Sequence, residues 1–199
     1  MARNQRERLI AGLTEVLHEV GYEKTTVSLI GRRAGVSKSD FYKHFESKDA
    51  CFVATYESAV ARIRGRVLAA CAAHPGDQWP PRMRDGITSL IELLAAEPPL
   101  AGITLVEGLR AGRGVYNRYQ AALDSFVPLI RDGAPAPPGG GEVPAATDEA
   151  VVGGIASLLG GRILAGEQEQ LGQLAPTVLE FALTPYLGTA EARRIVSAG

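Results

Sequence analysis

The sequence predicts an all-α protein, a three-helix N-terminal head on a larger helical body. Three observations carry this. Apolar residues recur at helical spacing along most of the 199-residue chain, the mark of helices with one buried face. Gly, Pro, Ser and Thr fall at the ends of these periodic stretches, where helices start and stop. No stretch shows the strict alternation of a half-buried strand, and no segment repeats. A hydrophobic content of 46% suffices for a substantial core.

The head comes first. Leu9, Ile10, Leu13, Val16, Leu17 and Val20 form one apolar stripe, so a first helix is expected over residues 3–20, ended by Gly21. Val27, Ile30 and Ala34 share a face of a second helix. Gly35 follows at once, the residue expected where a helix stops in a left-handed conformation. Ser37 can cap a third helix, and Asp40 completes an S-x-x-D capping box. Phe41 and Phe45, four apart, turn inward and leave Lys38, Ser39, Tyr42 and Lys43 for a partner. Ser47 caps a fourth helix, with Asp49 complementing the dipole and Phe52, Tyr56, Val60, Ile63 and Val67 inward. It is expected to run to about Ala73, where His74-Pro75-Gly76 stops it. The head is thus residues 1–48, or about 5–65 with the start of the connecting helix, and the body is residues 49–199.

In the body, helices are expected over residues 83–96, 100–111 and 115–131, the last with Pro128 near its end. Residues 132–146 are a Pro/Gly-rich linker expected to be mobile. An eighth helix follows over 148–167 with Thr147 as cap, a ninth over 174–187, and a short last one over 190–198. The eighth is apolar nearly all round and carries Gly153, Gly154, Gly160 and Gly161. Each glycine costs a helix interior roughly 1 kcal/mol against Ala, so several together suggest an offsetting gain. Small residues seven apart share a face and permit close approach, and a helix apolar on every side is buried on every side. In a chain this small that favours a subunit interface of Gly153, Gly154, Ser157, Gly160, Gly161 and Leu164, the alternative being the central helix of a monomer.

Two short helices joined by a tight turn, the second basic and aromatic, form a helix-turn-helix whose second helix enters the major groove of DNA. The charge distribution agrees. Residues 1–66 hold 12 Lys/Arg and 8 Asp/Glu, a net of +4, whereas residues 67–199 hold 9 and 14, a net of −5. An enzyme is not expected. His18, His44 and His74 are scattered, no H-E-x-x-H, C-x-x-C or G-x-S-x-G motif occurs, and Gly139 to Gly141 lie in the linker and not in a phosphate loop. No metal or cofactor is implied. No apolar run reaches the roughly 18 residues of a membrane helix, and the basic N-terminus leads into an amphipathic helix. A cytoplasmic protein is expected. Cys51 and Cys71 read as small hydrophobes.

The segment resembles the tetracycline-repressor (TetR) family of bacterial transcription regulators. The likeness lies in Thr25-Thr26-Val27, Ala34-Gly35-Val36-Ser37, Phe41-Tyr42-Lys43-His44-Phe45 and Lys48-Asp49, within residues 5–55. Members usually have a small residue where this chain has Ser39, and Thr or Ser where it has Asp40; the capping box accounts for Asp40. The resemblance implies a ligand-responsive regulator, by family habit a repressor, that dimerises through its last two long helices and is released from a near-palindromic operator. Val178 and Phe181 are the candidates on the ninth helix, which joins the interface through that resemblance. Thr25 and Thr26 can present hydroxyls to phosphate, as can Tyr42; Lys48 and Arg3 can add charge. The resemblance places His44 beside the DNA backbone. Lys38, Ser39 and Lys43 are the candidates for reading bases. A cavity is implied between the fourth and seventh helices, and Trp79, Met83, Ile87, Leu90, Val106, Glu107, Tyr116 and Tyr119 are the candidates to line it around a largely hydrophobic small molecule. The alternative is a constitutive DNA-binding regulator or a protein-interaction module whose body is packed shut.

Overall fold

A computed structural model describes residues 4–74, 78–110 and 113–198. All regular structure among them is helical. The chain divides into two compact units, Met1–Ala61 with Glu97–Tyr119, and Arg62–Ala96 with Gln120–Gly199.

In the first unit, α1 (Gln5–Lys24) starts where the Asn4 side chain accepts from the Arg6 N–H. Its regular part ends at Gly21, as expected, because that residue sits at φ 73°, ψ 169°; Tyr22 to Lys24 add one further turn. Leu9, Leu13, Val16 and Leu17 are buried, and α1 packs on α2 (Val27–Ala34). Gly12 lets the two backbones approach: a Cβ there would stand 3.1 Å from the Ala34 nitrogen. After α3 (Lys38–His44), α4 (Lys48–Cys71) begins with the Ser47 hydroxyl accepting from the Ala50 N–H at 3.0 Å. The single helix expected over 100–111 is a composite. α6 (Pro98–Gly102) starts earlier, with both prolines in its first turn, a π-helical stretch Ile103–Glu107 follows, and then the short α7 (Gly108–Arg110). α6 and the π-helical stretch pack on α1.

In the second unit, α5 (Trp79–Ala96) starts four residues before the expected Met83, because Pro80 and Pro81 fit a first turn whose N–H groups have no partner. The helix expected over 115–131 is two, α8 (Arg113–Asp124), whose residues up to Tyr119 belong to the first unit, and α9 (Val127–Arg131). Pro128 is the cause: its ring excludes the carbonyl four residues back, that of Asp124, where α8 ends. α10 (Thr147–Leu164) includes Thr147 as its first residue, so the cap expected there falls on Ala146, which has no side chain to serve as one. A 3-10 turn (Gln168–Leu174) leads to α11 (Ala175–Leu187), which runs through Pro185 to Leu187, and then α12 (Thr189–Ser197). Trp79, Ile91, Leu94, Leu159, Leu171 and Leu183 are fully buried. The Trp79 indole donates to the Ile130 carbonyl at 2.8 Å, and its ring lies 5.0 Å from that of Tyr186. Among the described residues no single helix is long and apolar enough to cross a membrane.

Candidate nucleic-acid interface

The turn between α2 and α3 is built by small residues and caps. Thr26 caps α2, its hydroxyl accepting from the Leu29 N–H at 3.2 Å. Gly35 adopts φ 62°, ψ 39°, and the Val36 N–H closes on the Gly31 carbonyl at 2.8 Å. A Cβ on Gly31 would stand 2.6 Å from the Val36 carbonyl oxygen, so the turn leaves no room for one. Ser37 caps α3, accepting from the Asp40 N–H at 3.0 Å. Its hydroxyl donates to one Asp40 carboxylate oxygen at 2.7 Å, and Lys43 Nζ donates to the other at 2.7 Å. These two donors, Lys43 first, hold the Asp40 carboxyl below the usual carboxylate range.

Phe41 and Phe45 are buried with ring centroids 5.8 Å apart, which fixes the rotation of α3 about its axis. Lys38, Ser39, Tyr42 and Lys43 are thereby exposed together; Tyr42 is 50% exposed with its ring edge-on to Phe41 at 5.4 Å. Thr26 is exposed at the start of α2. The structure engages two expected DNA contacts, Thr25 and Lys48, in internal bonds. Thr25 is 2% exposed and spends its hydroxyl on the Gly21 carbonyl at 2.7 Å, so it faces the interior. Lys48 donates to the Tyr22 carbonyl at 3.0 Å with its ammonium 4.0 Å from the Tyr22 ring, which ties the start of α4 to the end of α1. His44 Nε2 lies 3.0 Å from Gln5 Oε1. Arg3 lies outside the described residues.

Gln5 and Arg6 do not stand out in the sequence as contact residues. The Arg6 guanidinium lies 5.3 Å from the Phe45 ring centre, so the first turn of α1 and the end of α3 form one surface. The basic start of the chain is visible in the sequence, but only packing brings it beside α3. Arg33, in contrast, pairs with Glu15 at 2.8 Å and Glu19 at 2.6 Å on α1.

The residues expected to line an effector cavity fall in both units. Trp79, Met83 and Ile87 are buried in the second, where Leu90 is partly buried. Val106, Glu107 and Tyr119 are buried in the first, and Tyr116 is 49% exposed. Glu107 is 9% exposed, and its carboxylate accepts from the Tyr22 N–H at 3.0 Å, an internal structural bond that sequence spacing does not show. Beside it, the Tyr56 ring packs on Gly108, where a Cβ would come within 2.7 Å of Cε2. A cavity of about 470 Å³ in the second unit involves none of the expected lining residues; Arg131, Pro135, Val143, Asp148 and Tyr186 line it.

Of the residues expected at a subunit interface, Ser157 and Gly161 are exposed, Leu164 is 56% and Phe181 45% exposed, and Gly153 and Gly154 are partly so. The Phe181 ring lies over Gly154, where a Cβ would be 2.7 Å from Cζ. Gly160 and Val178 instead point into the unit's own core. No group of three or more His, Cys, Asp or Glu able to hold a metal occurs among the described residues.

A helix-turn-helix with a basic, aromatic outer face, set in an all-α chain, defines a class of DNA-binding regulators. Residues 9–55 match the family described as bacterial regulatory proteins, tetR family. An HTH-type transcriptional regulator of Mycobacterium tuberculosis is 26% identical over 159 residues, covering 76% of this chain and 80% of that protein. The HTH-type transcriptional regulator BetI of Escherichia coli is 34% identical over 64 residues, 32% of this chain and 33% of BetI. Among solved structures, the fatty acid degradation regulator FadR from Bacillus halodurans superposes with a TM-score of 0.75 at 17% identity, covering 89% of this chain and 97% of that one. FadR from Bacillus subtilis in complex with stearoyl-CoA gives 0.73 at 16% identity, covering 90% and 98%. Residues 9–55 thus carry the helix-turn-helix of this family, and the chain as a whole is similar to HTH-type transcriptional regulators.

Proposed function

We propose that this protein is a dimeric, ligand-responsive repressor that binds a near-palindromic operator in the cytoplasm and is released from it by a largely hydrophobic small molecule. The observation that carries the reading is the shared exposure of Lys38, Ser39, Tyr42 and Lys43 on a helix whose rotation Phe41 and Phe45 set. In the major groove these side chains reach base edges and flanking phosphates. Thr26, Tyr42 and His44, with Gln5 and Arg6 beside them, position the head on the DNA backbone. Residues 1–48 are the DNA-binding domain, and residues 49–199 bind the effector and the second subunit.

The dimer forms through α10 and α11, whose outer faces present Ser157, Gly161, Leu164 and Phe181. A two-fold dimer reads two half-sites one helical turn, or a multiple of it, apart. The effector acts by population shift: it binds one spacing of the two heads better and draws the dimer toward it. The stearoyl-CoA complex of the Bacillus subtilis FadR makes a long-chain acyl-CoA the first effector to try. The test is fluorescence anisotropy on DNA selected by the purified protein, with and without stearoyl-CoA. Specific binding whose affinity falls steeply with salt supports the DNA reading. Binding that ignores sequence removes it. Operator affinity unchanged by acyl-CoA removes this effector class.

A further inference from the structure

We propose that Asp40 and Lys43 act as one unit that reads a G·C base pair in each half-site, with Asp40 on the cytosine. The inference rests on α3 as the sequence reader. The Lys43 ammonium and the Asp40 carboxylate stand 2.7 Å apart, one turn from each other on α3. The Ser37 hydroxyl holds the second carboxylate oxygen at 2.7 Å. The carboxylate is therefore positioned from two sides, yet its side chain remains 31% exposed and that of Lys43 69%. Each carboxylate oxygen has a lone pair to spare.

A donor and an acceptor held at hydrogen-bonding distance complement the edge of a base pair, whose exocyclic groups are themselves hydrogen-bonded across the pair. In the major groove a G·C pair offers guanine N7 and O6 as acceptors and cytosine N4 as a donor. Lys43 meets the guanine acceptors while Asp40 accepts from N4. A T·A pair offers thymine O4 and adenine N6 in the same order but fits worse at both ends. The thymine methyl stands where guanine would supply its second acceptor, and adenine N7 turns a lone pair toward the carboxylate. The reversed pairs set ammonium against amine and carboxylate against acceptor. A lone carboxylate would be repelled by the phosphates, but here its counter-charge enters the groove with it. A residue that weakens affinity in isolation thus becomes a determinant of sequence.

The test is selection of bound DNA from a random library with the wild-type protein, Asp40→Ala and Asp40→Asn, each checked for helical content and melting temperature. Neither variant removes the residue-40 N–H that Ser37 caps. The wild-type protein should select a half-site with a fixed cytosine at one position. Asp40→Ala should lower the preference at that position roughly tenfold and leave the others unchanged. Asp40→Asn should replace that cytosine with adenine, since an amide pairs with adenine N6 and N7. Wild-type base weights at every position in both folded variants would overturn the inference and leave Asp40 a helix cap. Absence of any motif with the wild-type protein would overturn the reading of α3 itself, and this pairing with it.

Discussion

Tyr22 is the residue on which the first unit turns. Its N–H donates to Glu107, its carbonyl accepts from Lys48, and its hydroxyl donates to Asp49, so one residue joins α1, the start of α4 and the π-helical stretch. Burial, reinforced by the Asp49 carboxylate, pushes its phenol pKa upward. Glu107→Ala leaves the Tyr22 N–H unpaired in a partly buried setting and should cost about 1 kcal/mol in urea unfolding, whereas Glu107→Gln keeps an acceptor and should cost less. An alanine variant as stable as the wild type would show that water takes over this bond. Cys51 makes a second test at this scale. It is fully buried, and burial pushes its thiol up to about 12. The thiolate is the nucleophile, so at pH 8 a thiol reagent should modify Cys71, which is partly exposed, well before Cys51, as read by peptide mass spectrometry. Equal rates would mean that α4 opens readily at its start.

At the scale of the element, the α2–α3 turn is tightly constrained. Gly31 is the tight point, since any Cβ meets a backbone oxygen rather than a yielding side-chain tip. Gly31→Ala should destabilise the head by about 1–3 kcal/mol and weaken DNA binding more than it alters far-UV circular dichroism. Unchanged DNA affinity would show that the turn relaxes without moving α3. α10 shows the opposite use of glycine. At Gly153 and Gly161 a Cβ would meet nothing within 4 Å, so within one protomer both positions accommodate alanine freely. Gly154 differs, since Phe181 already occupies the space beside it.

At the scale of the whole molecule, the outer faces of α10 and α11 carry Leu164 and Phe181 into solvent from helices whose inner faces are fully buried. Exposed apolar side chains over small residues fit a subunit contact. The double variant Leu164→Asp with Phe181→Arg should shift the protein from dimer to monomer in analytical ultracentrifugation while retaining its helical content. Operator affinity should then fall, because two half-sites no longer share one ligand. A double variant with wild-type mass would place the dimer contact elsewhere.

The sequence by itself determined the all-α class, the helix-turn-helix, the inward phenylalanines and the outward face of α3. Each follows from spacing and capping over a few residues, which a chain carries locally. It also located the glycine break at Gly21. Tertiary structure decided the rest. Thr25 and Lys48 look like surface polar groups in sequence, yet one is buried on Gly21 and the other is spent on Tyr22. Glu107 reads as a group for a ligand and instead holds a backbone N–H 85 residues away. Gln5 and Arg6 join the α3 surface only because α1 folds back beside Phe45. The physical reason is common to all of these. Helical periodicity tells which side of a segment is buried, but a hydrogen bond's partner depends on which distant segment packs there, and no local pattern encodes that.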